Sequence, residues 1–308
     1  MRRIRNFHQD AACLLRGRIP GQLVIQLTDH CNARCPQCGM RTTEGFQRSR
    51  LSEKAVRGII DAAAEKGVRA LSFTGGEPML FRKELMELIR YAGQAGIPLL
   101  RTGTNGFFFA GADHPGFEDR IESIAEALAE TPLRNFWISL DSSVPGIHES
   151  MRGFPGVVDG IEKGLPIFHR HGIYPSVNLG INRNITEGTR SAEFKGIPEN
   201  PEEYGARFYA QYQKAFRAFY RFVINLGFTI VNSCYPMSLE ADVDRLSPVY
   251  AASSEDAVVR YSAAEKALLF KALLDTIPEF RSRIRIFSPR ISLYALHRQY
   301  AEIGRAHV

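Results

Sequence analysis

Leu23-Val24-Ile25-Gln26-Leu27-Thr28 runs into Asp29-His30-Cys31-Asn32-Ala33-Arg34-Cys35-Pro36-Gln37-Cys38, so an apolar, strand-like run leads directly into three cysteines within eight residues. Thiolates are the usual protein ligands of iron–sulfur clusters. Three of them spaced C-x3-C-x2-C can wrap one short loop around three irons of a cubane and leave the fourth iron without a protein ligand. An open metal position suits a catalytic site, whereas a structural site is closed. One His and three Cys also invite a zinc reading through His30. Adjacent His and Cys are awkward chelators of a single tetrahedral ion, and zinc leaves the next motif unexplained.

That motif is Thr74-Gly75-Gly76-Glu77-Pro78, which follows the next β-branched run, Ala70–Thr74. Paired glycines let backbone approach a ligand without side-chain obstruction, and they tolerate positive φ. Glu77 adds a negative charge suited to a ligand ammonium. Further outward, apolar runs alternate with amphipathic stretches, which argues for β/α units and a parallel sheet. Strands are expected near Leu23–Thr28, Ala70–Thr74, Pro98–Thr102, Phe136–Asp141, Tyr174–Ile181 and Phe228–Asn232. Helices are expected after Ser52 as N-cap, with Ala55, Ile59, Ile60 and Ala63 inward, and near Lys83–Gly93, Phe117–Ala129, Gly156–His171, Glu203–Leu226 and Ala263–Ile277. Six such units give an α/β fold, a partial (β/α)6 TIM-like barrel with parallel strands. In parallel barrels the C-terminal strand ends carry the sites, and both motifs lie at such ends. The aromatics Tyr204, Phe208, Tyr212, Phe216, Phe219 and Tyr220 at helical spacing read as core.

Composition bounds the answer without deciding it. The chain has 308 residues, 44% apolar, with a formal net charge of +6. The basic excess is scattered, so a nucleic-acid partner is not indicated. Five cysteines, three of them clustered, do not suggest a disulfide framework, and a reducing cytoplasm is the expected location. No apolar run of about 18 residues predicts a membrane span.

The cysteine loop and the Gly-Gly-Glu-Pro turn together resemble the signature of the radical S-adenosylmethionine (SAM) enzymes, over about residues 22–235. The likeness extends toward the SPASM-type group, without a visible auxiliary-cluster region. The resemblance implies a [4Fe–4S] cluster on Cys31, Cys35 and Cys38, with SAM chelating the open iron through its amino and carboxylate groups. It implies that Gly75, Gly76, Glu77 and Pro78 bind the methionine amino group. Ser139 and Arg152 match positions that hold the SAM carboxylate or ribose, and Asn178 and Asn182 would reach adenine and ribose. Many members place an aromatic before the third cysteine; here Gln37 stands there, so that contact would be polar or absent. The implied reaction is reductive cleavage of SAM to a 5′-deoxyadenosyl radical that takes hydrogen from a peptide or biosynthetic small molecule. An electron donor such as flavodoxin or ferredoxin is the implied partner. The rival reading is a non-catalytic iron–sulfur or zinc sensor on a degenerate barrel.

Three segments are expected: an N-terminal extension over 1–21, the core barrel over 22–235, and a C-terminal helical extension over 236–308. Residues 302–308 read like the translation of a sequencing-adapter sequence, so the natural protein is expected to continue past Tyr300. Cys13 reads as a buried apolar residue, and Cys234 as the same or as a group meeting substrate. Catalytic residues beyond these are not identified. The polar stretch Asn184–Glu202 has the length of a functional loop, a lid, or of a solvated surface excursion.

Overall fold

A computed structural model describes residues 15, 21–38, 48–189, 200–234 and 257–305. Cys13, most of the expected N-terminal extension, the middle of the Asn184–Glu202 loop and the last three residues lie outside the described residues. Two compact units divide the chain. One is built from the chain up to Cys31 with Arg48–Thr104 and Glu126–Phe136; the other holds Asn32–Gln47, Asn105–Ala125 and everything from Trp137 onward.

The first unit carries parallel strands β1 (Gln22–Thr28), β2 (Ala70–Gly75) and β3 (Leu99–Thr104), in register from Gln22↔Ala70 and Ala70↔Leu99. Alternation sends Ile25, Leu27, Leu71, Phe73 and Leu100 to one buried face, while Gln22, Gln26, Ser72, Thr74 and Arg101 share the other. Helices α1 (Glu53–Glu65) and α2 (Arg82–Gln94) pack on each other. Ser52 caps α1, its side chain accepting the Ala55 N–H, as its hydroxyl and position foretell. The inward face corrects the sequence expectation. Val56, Ile60 and Ala63 are buried, whereas Ala55 and Ile59 are exposed. The i, i+4, i+7 stripe through Val56 sets the rotation of the helix, and that turns Ala55 and Ile59 to solvent.

The second unit shares α3 (Phe117–Ala129) and β4 (Leu133–Leu140) with the first, since the division falls within both. It contains α4 (Pro145–Arg152), α5 (Val157–Arg170), β5 (Ser176–Gly180), α6 (Pro201–Asn225), β6 (Ile230–Cys234), α7 (Ala263–Thr276), β7 (Arg285–Ile286) and α8 (Arg290–Arg305). Strands β4 to β7 pair in parallel, one with the next. The α6 aromatics are core: Phe208, Tyr212, Phe216, Phe219 and Tyr220 are fully buried.

Among the described residues the fold is α/β, an open sheet of seven parallel strands in chain order rather than the six expected. The seventh is two residues long. Arg285 and Phe287 donate their amides to Thr229 and Val231 of the β6 side, so Ile286 and Ser288 direct their carbonyls to the outer edge. There the Arg281 guanidinium meets both, at 3.4 and 2.9 Å. The stretch Arg281–Tyr300 therefore holds a last strand and most of the helix α8.

Candidate active site

The root of the cysteine loop is built in the first unit. Where β1 ends, Asp29 N–H donates to Ser49 O and Leu51 N–H to Leu27 O, so the outgoing and returning chains are tied together at the base. Asp29 strengthens the tie, its carboxylate accepting the Ser49 amide and hydroxyl. The Gly-Gly-Glu-Pro turn then clamps this root from the β2 side. Gly76 N–H donates to Thr28 O at 2.6 Å and Glu77 N–H to His30 O at 2.9 Å.

Both glycines are dictated by this approach. A Cβ on Gly75 would lie 2.4 Å from Thr28 O, at a φ of +138° that L side chains rarely adopt. A Cβ on Gly76 would lie 2.1 Å from His30 O. The residue pair thus lets one chain segment lie against the segment that delivers Cys31, which is half-buried. Glu77 is fully buried, and its Oε1 accepts the Met79 N–H at 3.0 Å, capping a short 3-10 turn over Pro78–Phe81.

The other two cysteines belong to the second unit. Cys35 is buried and Cys38 half-buried, and Cys38 N–H donates to Cys35 O. Asn105, just past β3, ties this loop by donating to Asn32 Oδ1 at 2.9 Å. None of the three cysteines is in a disulfide. Among the described residues, no three His, Cys, Asp or Glu side chains stand close enough together to hold a metal ion. Gln37, in the middle of the loop, has a buried Oε1 with no hydrogen-bond donor among the described residues.

Across β4, β5 and β6 the register aligns Ser139, Asn178 and Asn232. In-register residues of parallel strands share a face, so these three half-buried polar side chains form one row. Their neighbours Ile138, Leu140, Val177, Leu179 and Val231 point the other way into the core. Ser139 and Asn178 are two of the residues expected from sequence; Asn232 completes the row, and its period-two position in the sixth strand was the available signal.

Arg152 has a partner that sequence reasoning missed. It closes α4, 8% exposed, and its Nε and Nη2 reach Asp141 Oδ2 and Oδ1 at 2.7 and 3.0 Å, a two-pronged ion pair. Burial alone would push the Asp141 carboxyl up. The Arg152 guanidinium overrides it and holds the group well below the usual carboxylate range. His148 Nδ1 accepts the Asp141 amide at 3.2 Å, which leaves the ring proton on Nε2, a buried atom with no partner. Burial pushes the His148 pKa down against the pull of Asp141, and the ring is neutral.

Asn182 is employed differently from the sequence expectation. Wholly buried, it donates to Asp141 O at 2.9 Å and Gly180 O at 2.6 Å, and its Oδ1 accepts the Asn184 N–H at 2.6 Å. Its amide group is thereby engaged by backbone on both sides, pinning the tip of β5 to the tip of β4. Cys234 is the last residue of β6, in register with Gly180; its side chain lies outside the described residues. Within the second unit a cleft of about 570 Å³ opens between the cysteine loop and α4, lined by Arg34, Pro36, Ile147, Met151, Asn184 and Glu187.

The residues fit the group that the resemblance implies. Three thiols on one loop, with no disulfide among them, are the soft donor set an iron–sulfur cluster takes. The buried Gln37 Oε1 awaits a donor, such as an adenine amino group or a water could supply.

Comparison with known proteins supports this reading. The description of the Radical SAM superfamily matches residues 25–187, more than half of the chain. An AdoMet-dependent heme synthase of Oleidesulfovibrio alaskensis is 27% identical over 159 residues, covering 52% of this chain and 38% of the relative. A GTP 3',8-cyclase of Pelotomaculum thermopropionicum is 33% identical over 174 residues, covering 54% and 48%. The chain thus spans about half the length of the curated relatives it matches, or less. Among solved structures, Streptococcus suis SuiB bound to its precursor peptide SuiA superposes with a TM-score of 0.56 over 94% of this chain and 54% of that one. At 16% identity that likeness speaks for the fold alone, a partial TIM barrel. Strand order, cysteine loop and family match agree: the chain belongs to the radical SAM superfamily, enzymes that work with a [4Fe–4S] cluster and S-adenosylmethionine.

Proposed function

We propose that Cys31, Cys35 and Cys38 hold the cluster and that the chain uses it to cleave SAM and take hydrogen from a peptide or a biosynthetic small molecule. The observation that carries the residue assignment is the double backbone clamp from Gly76 and Glu77 onto Thr28 and His30. It fixes the turn that would receive the SAM amino group against the segment that delivers Cys31. When bound, the reduced cluster supplies an electron to the SAM sulfonium, giving methionine and a 5′-deoxyadenosyl radical able to attack an unactivated C–H bond.

The protein's own tasks are binding, orientation and exclusion of water. Gly75 to Pro78 offer backbone and the Glu77 carboxylate to the amino group. Ser139 and Asn178 present hydroxyl and amide to the sugar or carboxylate from one face of the sheet. Arg152, oriented by Asp141, brings positive charge to the carboxylate. An electron donor of the flavodoxin or ferredoxin kind would reduce the cluster. The peptide arm of the substrate proposal draws on SuiB, described with its precursor peptide; relatives named for heme synthesis and GTP cyclisation support the small-molecule arm.

The test is anaerobic iron–sulfur reconstitution, then dithionite and SAM, with 5′-deoxyadenosine followed by mass spectrometry. Wild type is expected to form it, and Cys31→Ala, Cys35→Ala and Cys38→Ala are each expected to reduce it to background. Undiminished product from the folded triple variant sinks the assignment.

A further inference from the structure

Asn182 and Arg183, neighbours in sequence just past β5, face two different parts of the second unit. Asn182 pins the β4 tip through Asp141 O, beside the Asp141–Arg152 ion pair. Arg183 turns to the segment that leads into α7 and is almost completely engaged there. Its amide donates to Val258 O at 2.8 Å. Its Nε and Nη2 donate to Arg260 O at 3.1 and 2.8 Å, and Nη2 also lies 2.8 Å from each Glu265 oxygen. The guanidinium stacks 4.5 Å from the Tyr261 ring centroid.

Glu265 is 8% exposed, and its carboxylate accepts from three residues, Arg183 among them. Tyr204 Oη from α6 donates to it at 2.6 Å and Ser262 N–H at 2.8 Å, the latter half of a capping box. Tyr212 bridges the two sides, its hydroxyl 2.8 Å from Tyr261 Oη and 3.5 Å from Asn182 O. A buried ion pair is a poor device for stability alone, since apolar side chains of similar volume commonly serve as well. What it supplies here is a single arrangement of the loop, because the planar fork bonds in fixed directions.

We infer that Arg183 is a positioning residue through which the segment 258–265 and the start of α7 hold the β5 tip, and with it the Asp141–Arg152 pair, in the geometry that receives SAM. This rests on the reading above that Arg152 serves the SAM carboxylate. The C-terminal helical segment is then part of the cofactor-binding machinery rather than an appendage to it. Sequence alone pointed to neither Arg183 nor Glu265.

The decisive variants are Glu265→Gln, which keeps shape and removes charge, and the double change Arg183→Met with Glu265→Met, which removes both charges without stranding one. Each is compared with wild type for cluster absorbance, SAM dissociation constant measured anaerobically on the loaded protein, and amide hydrogen exchange at Ile181–Asn184. A positioning role predicts normal cluster absorbance, exchange at these amides at least tenfold faster, and SAM binding at least tenfold weaker. Arg183→Lys, retaining charge without the fork, should fall between. If the double variant does not fold, Glu265→Gln and Arg183→Lys carry the same comparison. Wild-type affinity and exchange in the folded variants overturn the inference. If loaded wild type itself fails to bind SAM, it is the reading of the site that fails, and unchanged exchange at Ile181–Asn184 then overturns the clamp separately.

Discussion

At the scale of single residues, the geometry makes Gly76 the most exacting position of the site. The close approach of His30 O leaves no room for a methyl group, and the obstacle is backbone rather than a side chain that could swing away. Gly76→Ala is expected to lower unfolding free energy by roughly 1–3 kcal/mol, the range typical of overpacking, and to impair iron incorporation. Urea denaturation and iron content check both, and unchanged values would mean that the clamp is slack. The glycine pair was legible as permissive backbone beside a ligand. What the sequence could not convey is that its nearest neighbour is the chain's own cysteine loop. Asp141 was equally opaque: its motif neighbours were read, but a long-range pairing with Arg152, eleven residues on, leaves no local signature. Asn182 was read as ligand-facing because it is polar and sits at a strand end; backbone carbonyls occupy it instead.

At the scale of elements, caps and periodicity located most helices and strands to within a few residues. Ser52 announced α1, and the aromatic stripe of α6 was core from Phe208 to Tyr220 as its spacing implied, with Tyr204 only half-buried. Among the described elements three escaped: α4, β7 and α8. The eight-residue α4 begins at Pro145 and ends at Gly153 with φ +80°, sound start and stop signals, yet it is too short for a convincing apolar stripe. β7 has only two residues, below the length at which alternation can be read. The capping box of α7 gives a test at this scale. Ser262 accepts the Glu265 N–H at 3.2 Å while Glu265 accepts the Ser262 N–H. Ser262→Ala should cost about 1 kcal/mol of stability, seen as a shifted denaturation midpoint with an unchanged slope. A neutral result would show that Tyr204 and Arg183 suffice to fix that carboxylate.

At the scale of the whole molecule, folding and cofactor binding are linked. A ligand that binds only the folded chain stabilises it by about 2.7 kcal/mol at one hundred times its dissociation constant. SAM should therefore raise the unfolding temperature of the cluster-loaded protein, and do so far less when Cys31, Cys35 and Cys38 are all alanine. Equal shifts in both would place SAM binding elsewhere than at the cysteine loop. Among the described residues no helix is long and apolar enough to cross a membrane. The last strand of the sheet meets a different hazard, since a sheet edge with open carbonyls is a template on which a second chain can grow. Arg281 occupies the Ile286 and Ser288 carbonyls and places a cation on that edge. One surface arginine thereby takes up acceptors on which a further strand would otherwise pair.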